Sequence, residues 1–356
     1  MTESSVSSQA EEAAAEKGEP PALRVAPSPH IFRTALTTQR LMLDVLIGLV
    51  PVTVMAVVVF RWYAVVQVGL CILSCLAFEA IFTRLRGRRP QLGDLSAVIT
   101  GAILGFSLPW NAPWYVAVIG SAVGIGVGKV VFGGLGYNIF NPAMVGRAFV
   151  MLSFAKAMGA AAYVASHSRL SVVTEATPLT AARKIAAEVA AGRLSAAQAH
   201  AQLESARHLW PLFIGNVNGS LGETSAIAVL IGGLYLCVRR TASWEIPAGT
   251  ILAALVVATA ADLLNLSPMP PGYHLLAGAL LFGAFFIATD PVTSPLTPKA
   301  KFVFGLGVGT IVVLLRVFSG YPEGVMFAVL LMNAAVPLMN QLAIPRPLGG
   351  PARRAA

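Results

Sequence analysis

LMLDVLIGLVPVTVMAVVVF, residues 41–60, decides the fold class. It is apolar almost throughout, and at 1.5 Å per residue a helix of that length matches the ~30 Å hydrocarbon core of a bilayer. Comparable runs recur along the chain. Of the 356 residues 56% are hydrophobic and 12% charged, whereas soluble domains carry about a quarter charged residues. The sequence therefore predicts an all-α polytopic membrane protein, because helices satisfy their backbone groups internally, as lipid requires.

Working outward, the spans are expected at about 41–60, 62–83, 94–108, 114–131, 143–157, 222–238, 246–265, 274–289, 302–318 and 325–342. Arg61 between the first two can snorkel to the interface. Arg84, Arg86, Arg88 and Arg89 follow the second span, Arg239 and Arg240 the sixth, and Lys299 and Lys301 the eighth. Basic residues mark cytoplasmic loops, so about ten transmembrane helices leave both termini in the cytoplasm. Trp110 and Trp114 of PWNAPW are placed like interfacial anchors.

The expected organisation is a disordered cytoplasmic tail (1–34), helices 1–5 (35–157), one long periplasmic loop (158–209), helices 6–10 (210–345) and a basic cytoplasmic tail (346–356). The amino terminus is acidic and polar, without a signal-peptide pattern. TGAILGFSLPW (100–110) is similar to AGALLFGAFFIATDP (277–291), and GGLGYNIFNPAMVG (133–146) to FSGYPEGVMFAV (318–329). Two five-helix halves of inverted topology account for this, and such folds place a site near the midplane.

Net charge is +9. Topology signals account for much of it, so no nucleic-acid partner is expected; membrane lipid is. Cys71, Cys75 and Cys237 form no CxxC and read as small buried residues rather than a disulfide or metal site. Ionisable residues in or near spans are functional candidates by default. Asp44, Glu79, Glu223, Asp262 and Asp290 are therefore candidate cation or proton way-stations, with helix capping the alternative for Glu223.

Four stretches carry a resemblance: SPHIFRTALTTQRLMLDVLIGLVP (28–51), GYNIFNPAMVGRAFVMLSF (136–154), GNVNGSLGETSAIAVLIGG (215–233) and FFIATDPVTSPLTPKAKFVFG (285–305). Together they resemble the RnfD component of the Rnf electron-transport complex and, less closely, the NqrB component of the sodium-pumping NADH:quinone oxidoreductase. The resemblance implies FMN joined by a phosphoester to a threonine. TEATPL (174–179) looks like the family's acceptor motif, with Thr177 as acceptor and Glu175 where glycine is common. On its own, Thr177 reads as a helix N-cap with Pro178 at the first helical position; an N-terminal dipole also suits a phosphate, so the two are compatible. A second flavin, non-covalent riboflavin, is implied among the helices, with Asn138, Asn141, Asp290 and Thr293 as candidate neighbours. Capping at Pro-containing breaks is their alternative reading.

The implied function is membrane electron transfer in a bacterial inner-membrane complex that couples ferredoxin and NAD redox chemistry to Na⁺ or H⁺ movement. Partner subunits supply the iron–sulfur centres and the NAD site, since no Rossmann fingerprint occurs here, and a flavin transferase supplies the covalent FMN. A quinone-reducing role, as in NqrB, and a non-redox solute transporter are the alternatives.

Overall fold

The computed structural model describes residues 37–88, 92–158, 185, 188, 191–193, 198, 209–215, 219–264, 266–267, 269–319 and 324–342. Apart from the short helices Leu92–Asp94, Ala155–Met158 and Leu209–Ile214, their helices are α1 (Thr38–Phe60), α2 (Trp62–Leu85), α3 (Ser96–Ser107), α4 (Trp114–Ile125, continued by a π-helical turn Gly126–Val130), α5 (Pro142–Ser153), α6 (Ala226–Val238), α7 (Glu245–Leu263), α8 (Pro271–Leu276), α9 (Leu280–Phe282, continued by a π-helical turn Gly283–Ile287), α10 (Pro298–Phe318) and α11 (Val325–Leu342). The fold is all-α and membrane-spanning. Five helices, α1, α2, α7, α10 and α11, are long and apolar enough to cross a bilayer. α3 and α5 have 12 residues each, about 18 Å of helix, so they span only with the chain around them.

The differences from expectation have local causes. The expected continuous helix over 274–289 is two pieces, because Gly278 has a φ of +73° and Ala277 is extended. The sixth span starts at Ala226 rather than 222; Ser225 caps it by accepting from the Ala228 N–H at 3.3 Å, and Glu223 lies before the helix. Trp110 is no interfacial anchor. It is buried, stacked on Phe60 with Tyr63 at its edge, while Trp114 is exposed. Arg61 is exposed, as a snorkelling residue requires. Cys71 and Cys75 are buried and free; Cys237 is partly exposed.

Breaking a helix leaves carbonyls without partners, and lipid offers none. At the α8–α9 break the chain supplies its own: the buried Arg316 of α10 donates to the carbonyl of His274 and, at 3.0 Å, to that of Ala277. The lead-in to α6 is handled likewise. The Gly222 N–H donates to Phe106 O (2.8 Å) and the Leu221 N–H to Leu108 O (3.3 Å), so this turn is tied to the end of α3.

Glycine sets how closely the helices meet. A Cβ on Gly232 of α6 would lie 1.9 Å from the Gly48 carbonyl oxygen of α1. On Gly305 it would lie 2.3 Å from Ile246 O, and on Gly309 2.3 Å from Thr250 O, both on α7. Backbone thus rests on backbone, as small residues allow in membranes. Among the described residues, the contacts that join the halves include Gly48 with Gly232, Phe106 edge-on to Phe282 at 6.2 Å, and Asn141 with Asn333, whose side-chain oxygen accepts from the Asn141 N–H at 3.2 Å.

Gly232→Ala must push α1 and α6 apart, at a cost of about 1–3 kcal/mol or more for an overpacked contact. Gly69→Ala meets nothing within 4 Å and replaces a poor helix former. Thermal unfolding in detergent should show a lower midpoint for the first and no decrease for the second.

Candidate functional site

The residues that matter most lie at the end of the bundle that carries Arg84, Arg86, Arg239 and Lys301, here called the basic end. There α1, α3, the π turn of α4, the loop before α5, the end of α6 and residues 286–292 line a partly open cavity. Leu41, Val45, Ile99, Ile103, Leu236 and Phe286 give it apolar walls. Asn138, Thr289 and Lys129 are among its polar groups. Both π turns end at this cavity and contribute Lys129 and Phe286; such bulges are frequent at functional sites.

Of the four residues expected near riboflavin, Asn138, Asn141 and Asp290 line the cavity. Thr293 does not; it is buried behind, its hydroxyl donating to Asp290 Oδ2 at 3.0 Å. Their hydrogen bonds separate them further. Asn141 is the N-cap of α5, its Oδ1 accepting from the Ala143 (3.1 Å) and Met144 (3.3 Å) N–H groups, and its Nδ2 donates to Ile287 O at 3.3 Å. Capping therefore takes up its oxygen. Asp290 also folds its own turn, accepting from the Val292 N–H at 3.1 Å. Burial pushes its carboxyl above the usual range, opposed by the bonds from Val292 and Thr293. Asn138 differs. Its Nδ2 reaches Phe140 O at 3.4 Å, and its Oδ1 is buried with no partner. A buried amide oxygen without a donor is costly unless something else supplies one.

The ion-pathway candidates fall in different places. Glu79 of α2 is buried and paired with Lys129 Nζ at 2.6 and 2.8 Å. Lys129 also donates to Ser96 Oγ (2.6 Å), and Ser96 Oγ donates to Asp94 Oδ1 (2.7 Å). Asp44 of α1 is buried at the α6 end, taking bonds from Tyr235 OH (3.3 Å), Arg239 (3.4 Å) and Thr241 Oγ1 (3.1 Å). Glu223 is buried near the Phe106–Phe282 crossing, where it accepts from Ser220 Oγ at 2.5 Å. Asp262 is exposed near the end of α7. The structure thus brings Asp44 and Glu79 to the cavity's surroundings and leaves Glu223 and Asp262 elsewhere. Among the described residues no cluster of His, Cys, Asp or Glu could hold a metal. Thr177 lies outside the described residues.

Reading the sequence alone passes over Lys129 and Asn333. The signal is present for both: a lone cation in the glycine-rich run GSAVGIGVGK and an amide in the apolar run of α11. The partner of Glu79 is 50 positions away, and only the fold brings it there.

The family profile described as "NQR2, RnfD, RnfE family" matches residues 24–349. The chain belongs to that family. The D subunit of the Na⁺-translocating ferredoxin:NAD⁺ oxidoreductase complex of Acetobacterium woodii is 38% identical to it, over 92% of this chain and 95% of the relative. The D subunit of the ion-translocating oxidoreductase complex of Stutzerimonas stutzeri is 40% identical, over 89% and 94%. The D subunit of the proton-translocating ferredoxin:NAD⁺ oxidoreductase complex of Clostridium ljungdahlii is 36% identical, over 91% and 96%. In this member of the NQR2, RnfD, RnfE family, the cavity and the α5–α11 contact meet at Asn141. Asn333 Nδ2 in turn donates to Thr293 O at 2.9 Å.

Asn141→Ala removes the α5 cap and the bond to Ile287 O. It should lower stability by about 1–3 kcal/mol, seen as a lower unfolding midpoint and faster proteolysis at the basic end.

Proposed function

We propose that this chain is the electron-transfer subunit of an ion-translocating oxidoreductase complex, and that the cavity at its basic end holds the isoalloxazine ring of riboflavin. The observation that carries the reading is the cavity's division of labour: apolar walls for the faces of a ring, and the unpartnered Asn138 Oδ1 for its polar edge. A ring imide N–H is the donor that oxygen lacks, and the Lys129 ammonium can donate to a ring acceptor. A bound flavin supplies one- and two-electron chemistry; the protein supplies position, dryness and electrostatics. Asn138 orients the ring, Ile99 and Ile103 exclude water, and the α5 cap at Asn141 holds the loop that carries Asn138.

Thr177 carries FMN through a phosphoester on this reading, and other subunits of the complex bring the iron–sulfur and NAD-binding sites. What supports this is family membership together with the TEATPL stretch. The coupling ion is left open by likeness alone, since relatives of similar identity are named for Na⁺ and for protons.

Denatured full-length chain, co-expressed with a flavin transferase, should fluoresce as a flavin band in a gel, and Thr177→Val should abolish the band. A dark wild-type band sinks the covalent assignment. Acid extracts of the Thr177→Val chain should contain riboflavin near one per chain, with Asn138→Leu weakening retention about tenfold or more for a lost buried hydrogen bond. An extract without riboflavin sinks the cavity assignment.

A further inference from the structure

The wall between the cavity and the loops of the basic end is an ion pair. On its other side lies a second, more polar hollow, open to solvent and lined by Glu79, Thr83, Arg86, Arg88, Asp94 and Tyr137 among others. Glu79 and Asp94 face this vestibule, Lys129 and Ser96 face the cavity, and Leu135 lines both. The two sides are joined twice. Glu79 binds Lys129 directly at 2.6 Å, and Asp94 binds Ser96 at 2.7 Å, which in turn accepts from Lys129 at 2.6 Å.

A buried ion pair is a poor way to stabilise a helix crossing, because desolvating two charges offsets most of their attraction. Apolar side chains would close the wall as well, so the pair calls for another role. We propose that Glu79 and Lys129 form a proton relay that carries protons from the vestibule to the ring held in the cavity. The proposal rests on the reading that the cavity holds that ring.

Lys129 gives one ammonium proton to a ring nitrogen as one electron arrives from the complex's one-electron carriers, so the ring gains no net charge inside an apolar wall. Glu79, protonated from the vestibule, then passes its proton to the Lys129 amine and returns to carboxylate. Each cycle consumes one electron and one vestibule proton. The species handled is a proton and not a metal cation, because the ammonium already occupies both Glu79 oxygens. The other charged or titratable groups around the pair are Asp94, Cys75 one turn before Glu79, and Arg86 and Arg88 across the vestibule. Arg86 and Arg88 are held on the carbonyls of Val130 and Gly133, which ties the vestibule rim to the π turn that carries Lys129.

The test uses the full-length chain in a Thr177→Val background, with riboflavin content measured first and dithionite as electron source. Proton uptake is followed with an indicator dye in weak buffer, in H₂O and D₂O. Lys129→Arg keeps the charge but cannot release a proton. Expected, per riboflavin bound, is proton uptake slowed at least tenfold and the parent's solvent isotope effect changed. Glu79→Gln should slow uptake similarly. Methylammonium should restore it in Lys129→Ala. Should Lys129→Arg fail to fold, the double variant Glu79→Gln/Lys129→Met, which leaves no unpaired charge, must show the same slowing. Parental uptake rates and isotope effect in riboflavin-loaded variants overturn the relay while leaving the cavity reading intact. A parent chain that binds no riboflavin overturns both, and the content measurement tells the two failures apart.

Discussion

A bilayer core offers no hydrogen-bond partner, and three irregular features among the described residues answer to that constraint. Where α8 gives way to α9, a guanidinium from α10 takes the freed carbonyls. Where the chain turns ahead of α6, the end of α3 receives its N–H groups. Asn141 caps one helix and bonds across to the end of another. Each of these breaks is stitched to a neighbouring element, and at Asn141 the irregular backbone that lines the cavity also holds the two halves together.

Against that background Asn138 stands out. The chain spends polar groups to satisfy breaks almost everywhere, yet here it buries an amide oxygen against an apolar-walled hollow without a partner. The Glu79–Lys129 pair is the opposite case, a fully bonded charge pair in a position where packing alone would serve. Both lie at the basic end, and both border the same space. That convergence, more than any single residue, is the basis for proposing the ring site there.

Much of this is legible in the sequence. Apolar run length identifies the class, because backbone satisfaction in lipid leaves helices as the simple solution. Asn138, Asn141 and Asp290 stand out in their motifs and do share one cavity. Periodicity cannot show that residues 274–289 are interrupted, since one positive φ at Gly278 leaves the hydropathy unchanged. Nor can it bury Trp110, whose place depends on Phe60 and Tyr63 arriving from another part of the fold. Lys129 reads as one more cation in a basic chain. Its meaning comes from Glu79, Ser96 and Asp94, which local patterns cannot bring together.

The contact between Gly48 and Gly232 has an evolutionary corollary. With a carbonyl oxygen standing where the first side-chain carbon of Gly232 would go, neither helix has slack to absorb drift in the other. The two sites are unequal: a side chain at Gly232 requires a shift of the α1–α6 seam, whereas one at Gly48 meets chiefly the Leu236 side chain at 3.0 Å. That seam flanks the cavity through Leu41, Val45 and Leu236, so the geometry of the chamber is inherited with it.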